Sequence, residues 1–100
     1  MLDLAPQHLQ LLQSILQQHV PGVSVWAFGS RVNGNAKPHS DLDLVLKAAT
    51  AIPQHQLFAL QDALEESDLP IKVDVLDWQH ISPEFQQHIM QRYWVLSGTK

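Results

Sequence analysis

Gly29-Ser30, ten intervening residues and then Asp41-Leu42-Asp43 place a small-residue turn just ahead of a pair of carboxylates. Gly29 lets the backbone come close to a phosphate, and Ser30 adds a hydroxyl and an amide where a short helix should begin. Residues two apart on a strand share a face, so Asp41 and Asp43 point one way while Leu42 and Leu44 point into the core. Two ionised carboxylates this close repel each other, and a divalent cation relieves the repulsion. Magnesium takes one or two carboxylates together with substrate phosphates. A phosphate turn beside an Asp-x-Asp pair is therefore coherent with nucleotidyl transfer. Each part alone is commonplace, since Gly-Ser is an ordinary turn dipeptide and one Asp-x-Asp spacing among seven aspartates is unremarkable. The setting gives the pair its weight: both aspartates head the apolar run Leu44-Val45-Leu46, where a strand emerges from a core.

Asp74 is a third carboxylate, set within the otherwise apolar stretch 71–76, where an uncompensated charge is costly. Either it completes a triad with Asp41 and Asp43, or it faces solvent and pairs with Lys72. The triad requires the two strands to be neighbours with matched faces. In the company of the other two aspartates, the triad is the preferred reading.

The elements that must position these groups follow from hydrophobic period. Leu9, Leu12, Ile15, Leu16 and Val20 recur at helical spacing, which predicts an amphipathic helix over about 6–19 with Pro6 in its first turn. Pro21-Gly22 stops it ahead of a first strand at 23–28. The stretch 29–40 reads as a turn, a short helix and a loop. A second strand is expected at 41–46, a helix from Pro53 to about 66 with Leu57, Leu60 and Leu64 on one face, and a third strand at 71–76. Ser82 and Pro83 suit the N-cap and first position of a last helix, where Phe85, Ile89, Tyr93 and Leu96 make a stripe. Tyr93, Trp94 and Val95 read either as core or as an exposed docking stripe. The expected fold is α/β of the α+β kind: a small mixed sheet of three or more strands with helices packed mainly on one face.

Bulk composition narrows the chemistry. One hundred residues with 45% hydrophobic content make a single domain over 1–100. A net charge of −4 argues against holding nucleic acid by general surface potential, and favours a small nucleotide or a protein acceptor. With no cysteine, disulfides, thiol catalysis and thiolate metal sites are excluded. The start Met1-Leu2-Asp3-Leu4 lacks the basic and apolar regions of a leader, and no apolar run approaches the length of a membrane span, so a cytoplasmic protein is expected. The six histidines show no metal-ligand spacing. The turn at Gly29 lacks the Gly-Lys-Ser/Thr that would make it a P-loop, and Glu65, Glu66 and Asp68 read as a solvated helix end.

Gly29-Ser30, Asp41-Leu42-Asp43 and the later Val73-Asp74-Val75, in this order of elements, resemble a minimal nucleotidyltransferase of the DNA polymerase beta-like superfamily. The resemblance covers nearly the whole chain. More narrowly, Trp26-Ala27-Phe28-Gly29-Ser30-Arg31-Val32 and the segment from Asp74 to Trp78 resemble a small bacterial nucleotidyltransferase subunit encoded beside a helical, HEPN-like substrate-binding partner. Related proteins act as antitoxins of helical ribonuclease toxins, by transferring AMP from ATP to a toxin tyrosine. The resemblance implies a polymerase beta-like palm. It also implies two magnesium ions held by Asp41, Asp43 and Asp74 as catalytic and metal residues, and ATP or another nucleoside triphosphate as substrate. Gly29, Ser30, Arg31 and Ser40 would lie on the nucleotide side, although Arg31 reads equally as a structural arginine. Asn33 stands where such proteins often carry a basic residue. A helical partner in a hetero-oligomer follows from the same resemblance, either as the protein modified or as the subunit presenting another acceptor. A different class remains open: a non-catalytic module that masks its partner stoichiometrically. Retention of all three aspartates argues against it, because a pure binding surface does not require them.

Overall fold

Pro6 lacks the amide that a first helical turn leaves unpaired, and it opens helix α1 (Pro6–His19) in this computed structural model, which describes residues 2–98. The helix turns Leu12, Ile15 and Leu16 inward and ends where Val20 donates its amide to the Leu16 carbonyl. Gly22, with φ +79, carries the chain into strand β1 (Ser24–Phe28). A one-turn helix α2 (Ser30–Asn33) follows, closed by Gly34 in the left-handed region. Then come β2 (Leu42–Lys47), α3 (Gln54–Glu66), β3 (Val73–Asp77), a 3₁₀ turn at Trp78–His80, α4 (Pro83–Gln91) and β4 (Trp94–Ser97).

The strands form one mixed sheet in the order β3-β2-β1-β4. β1 runs antiparallel to both β2 and β4, and β2 runs parallel to β3. Parallel neighbours need a crossover, and α3 supplies it. Alternation along each strand then sorts the residues. Val25, Ala27, Leu42, Leu44, Leu46 and Val75 face α1 and α3 and build the main core with Leu12, Leu16, Leu60 and Leu64. The opposite face carries Trp26, Phe28 and Val45 under Ile89 and Phe85 of α4, a second and smaller cluster. The two long helices therefore share one face as expected, and α4 covers part of the other.

One expected element is different. The stripe read from Phe85 to Leu96 as one helix breaks after Gln91, and 94–97 is a fourth strand on the free edge of β1. Tyr93 lies between the two elements with its ring stacked on Trp26, centroids 4.0 Å apart. Leu96 is buried in the main core while Trp94 stays 39% exposed. The aromatic segment is thus mostly core, with Trp94 as its exposed part. Pairing with β1 wins over helix continuation because Val95 and Trp94 gain a ladder and Leu96 a buried site.

Candidate active site

Register brings the acidic residues together. Asp43 pairs with Asp74 across the parallel β2–β3 ladder, so both side chains leave the sheet on the face away from the main core. The antiparallel β1–β2 register sets Phe28 opposite Asp43, so the next residue, Gly29, passes directly over that carboxylate. A methyl group built on Gly29 would lie 2.6 Å from Asp43 Oδ2, and the backbone there has φ +83 and ψ −155, a region reserved for glycine. Glycine is required at this position by both space and conformation.

A cleft of about 710 Å³ opens over these groups, lined by Phe28, Gly29, Asp43, Asp74 and Phe85, with Lys72, Asp62 and Glu65 along its side. Burial raises the Asp43 pKa above its ordinary value, and the like charges of Asp74 and then Asp41 push it the same way. Lys72 Nζ lies 3.5 Å from Asp74 Oδ1. Asp74 thus stands beside Asp43 and also pairs with Lys72, while Asp41 does not join them in the cleft. That pair is largely exposed, so it leaves the carboxylate available.

The other expected site residues divide. Asp41 precedes β2, is exposed, and acts on Asp43 through its charge without lining the cleft. Ser30 opens α2 next to Gly29, which lines the cleft, but is not itself among the lining residues. Arg31 corrects the expectation of a nucleotide-side charge. Its guanidinium is buried and donates through Nε to the Ser40 carbonyl at 2.9 Å, through Nη1 to Asp3 at 2.9 Å and through Nη2 to Pro38 at 3.3 Å. All three nitrogens serve to tie the loop 34–41 to the N-terminal segment. Ser40 is corrected likewise: its hydroxyl accepts from the Lys37 amide at 2.8 Å and closes the loop. Glu65, read as a solvated helix end, lines the cleft. Phe85 and His88 reach the site from α4, a contribution with no local signal in the sequence because it depends on α4 folding back over the sheet.

Among the described residues no three His, Asp or Glu side chains converge tightly enough to cage a metal ion by themselves. Magnesium does not ask for such a cage, because it keeps waters and binds one or two carboxylates plus phosphate oxygens. Asp43 and Asp74, adjacent and of like charge, fit that donor set.

A mixed four-stranded sheet with a glycine-headed turn closing over an acidic strand edge defines the class, a nucleotidyltransferase-type palm. The chain belongs to the family described as "Polymerase beta, Nucleotidyltransferase", whose model matches residues 10–99. It is 44% identical over 95 residues to a probable protein adenylyltransferase, MntA, of Haemophilus influenzae, covering 95% of this chain and 83% of that one. Solved structures that share the fold include two toxin–antitoxin complexes. A toxin–antitoxin complex with AMP-PNP superposes with a TM-score of 0.75 at 24% identity, over 96% of this chain and 76% of the other. A Shewanella oneidensis complex of a tri-AMPylated HEPN toxin with an MNT antitoxin superposes at 0.65 and 24% identity, over 91% and 73%.

Proposed function

We propose that this chain is a magnesium-dependent nucleotidyltransferase that moves AMP from ATP onto a hydroxyl of a helical HEPN-type partner, working with it as a hetero-oligomer of the antitoxin kind. The observation that carries this reading is the side-by-side register of Asp43 and Asp74 on the strand edge over which Gly29 closes. The 44% identity to a probable protein adenylyltransferase supports AMP as the transferred group and a protein as its acceptor. The AMP-PNP and AMPylated-toxin complexes that share the fold accord with it. No helix among the described residues is long and apolar enough to cross a membrane. We take the chain to act as a single domain in the cytoplasm.

Magnesium bound here would neutralise the triphosphate and lower the pKa of the acceptor hydroxyl. Asp43 and Asp74, with Asp41 close in the chain, are the residues that would hold the ion. Gly29 leaves room for a phosphate against the backbone, and Ser30 offers its amide and hydroxyl next to it. The acceptor oxygen bonds to the α-phosphorus, the α–β anhydride bond breaks, and pyrophosphate departs. The hydroxyl proton passes to the carboxylate group.

Intact mass of this chain and its adjacently encoded protein, after incubation with each nucleoside triphosphate and magnesium, tests the reading. A gain of one or more AMP groups on the partner, absent with the Asp41→Asn/Asp43→Asn double variant, is expected. A complex that forms without any gain on either protein sinks protein adenylylation and favours a small-molecule acceptor or stoichiometric masking.

A further inference from the structure

The space around Gly29 is sorted by charge. On one side lies the cleft described above, where Asp43, Asp62, Glu65 and Asp74 meet a single cation, Lys72, already paired with Asp74. On the other side a groove of about 400 Å³ shares Phe28, Gly29 and His88 with that cleft and contains no carboxylate. Its polar lining offers hydrogen-bond donors from Asn33, Asn35, His88, Gln91 and Arg92. A polyphosphate lying against Gly29 has two directions in which to extend, and only one avoids the repulsion of acidic side chains.

The chain has little positive charge to spend on a phosphate, with six Lys and Arg in all. Arg31 is buried against three carbonyls. Lys47 lies over the rings of Trp26 and Trp78 at 5.1 and 5.5 Å, and Lys72 is with Asp74. Lys37 stands in the exposed loop and lines neither space, while Lys100 is outside the described residues. Arg92, exposed at the C-cap of α4, is in none of the ion pairs among the described residues and borders the groove. His88, one turn earlier, has its ring stacked on Phe85, which in turn packs edge-on against Phe28, so it is held at the junction of groove and cleft.

We propose that Arg92, assisted by His88, grips the distal phosphates of the nucleoside triphosphate in the groove between α2 and the end of α4. This assigns the polyphosphate to the carboxylate-free side of Gly29, and rests on the nucleotidyltransferase reading above. Placement on α4 lets one guanidinium, with its fork of donors, meet phosphate oxygens that no residue of α2 can pair with a full charge. The competing role is complementing the dipole at the α4 C-terminus, which would show in stability and not in ligand selectivity.

Binding of magnesium–ATP, inorganic tripolyphosphate and AMP to the full chain, measured by titration calorimetry, tests the assignment with Arg92→Gln, Arg92→Lys and His88→Asn alongside. Loss of a charge-assisted contact should weaken ATP and tripolyphosphate about 10-fold or more in Arg92→Gln while AMP changes by less than about twofold. Arg92→Lys should recover part of the loss, and His88→Asn should show a smaller one with the same selectivity. Equal weakening of ATP and AMP, or no change in either, overturns the assignment while the transfer assay leaves the broader reading standing. Failure of the unaltered chain to bind ATP overturns both. A fall in melting temperature without a change in ligand affinity assigns Arg92 to the helix end and removes it from the site.

Discussion

At the scale of single residues, two neighbours of Asp43 have opposite characters. Gly29 is there for want of a side chain: Gly29→Ala places a methyl 2.6 Å from Asp43 Oδ2 in a backbone region that disfavours it. The backbone term alone should cost about 1–3 kcal/mol, read as a lower urea midpoint, and displacement of the carboxylate should abolish transfer. Arg31 follows directly in the chain, yet its guanidinium works for the fold. Arg31→Met leaves three carbonyls short of a buried donor, and a loss of roughly 2–4 kcal/mol by chemical denaturation is expected, with nucleotide affinity of the folded fraction little changed. Asp43 itself has a pH signature. Its pKa is raised by burial and by Asp74 and Asp41, so the folded state holds that proton more tightly than the unfolded chain does. Its protonated form favours folding, and the contribution is lost as pH rises through the folded-state pKa. Metal-free Asp43→Asn should therefore melt higher than the unaltered chain at neutral pH, with the gap closing on acidification below the carboxylate range. Added magnesium should narrow or reverse that gap, because only the aspartate gains from the ion.

At the scale of elements, α4 is the piece that turns a sheet edge into a site. It covers the second cluster with Ile89 and Phe85 and brings His88 and Arg92 to the spaces flanking Gly29. Its start is secured by Ser82, whose hydroxyl accepts from the Phe85 amide at 3.1 Å, with Pro83 at the first helical position. Ser82→Ala removes that cap at a cost of about 1 kcal/mol, which for a domain of this size lowers the melting temperature by roughly 4–8 °C. Calorimetric melting checks it. On the proposed function, the same variant should raise KM for ATP more than it lowers kcat, since Asp43 and Asp74 sit on β2 and β3 and the loosened helix borders the groove proposed for the distal phosphates. The 3₁₀ turn before α4 is pinned separately: buried Asp77 accepts from the amides of Ile52 at 2.8 Å and Gln79 at 3.0 Å.

At the scale of the whole molecule, the net charge of −4 and the acidic cleft bear on how a nucleotide would approach. A triphosphate anion approaching Asp43 and Asp74 is repelled unless a divalent cation arrives with it. ATP with magnesium at about 100 times its dissociation constant should stabilise the fold by roughly 2.7 kcal/mol, a rise of about 10 °C or more in melting temperature. Excess chelator should erase the shift, and ATP without magnesium should give little of it. A shift of equal size with chelator present would contradict the metal-bridged reading of the aspartates.

Much of this architecture was legible because it is local. The bounds of α1, the turn at Gly29 and the alternation that sends Asp43 outward and Leu42 and Leu44 inward all follow from neighbouring residues and backbone period. Gly29-Ser30, Asp41, Asp43 and Asp74 could be singled out as candidates for chemistry before any fold was seen, because charge in an apolar strand and glycine before a helix are visible in residue order. The rest depended on partners distant in sequence. Phe85, Ile89, Tyr93 and Leu96 satisfy a helical period as well as two separate elements do, and the vacant edge of β1 decides for a strand at 94–97. Arg31 has the same local surroundings whether it points at a phosphate or at the carbonyls of Asp3, Pro38 and Ser40. The pairing of Asp43 with Asp74, the closure of Gly29 over them and the arrival of His88 and Arg92 were settled only by strand register and by where α4 packs. Period and propensity act over a few residues, whereas register and docking maximise buried apolar area and limit uncompensated buried charge over the whole chain at once.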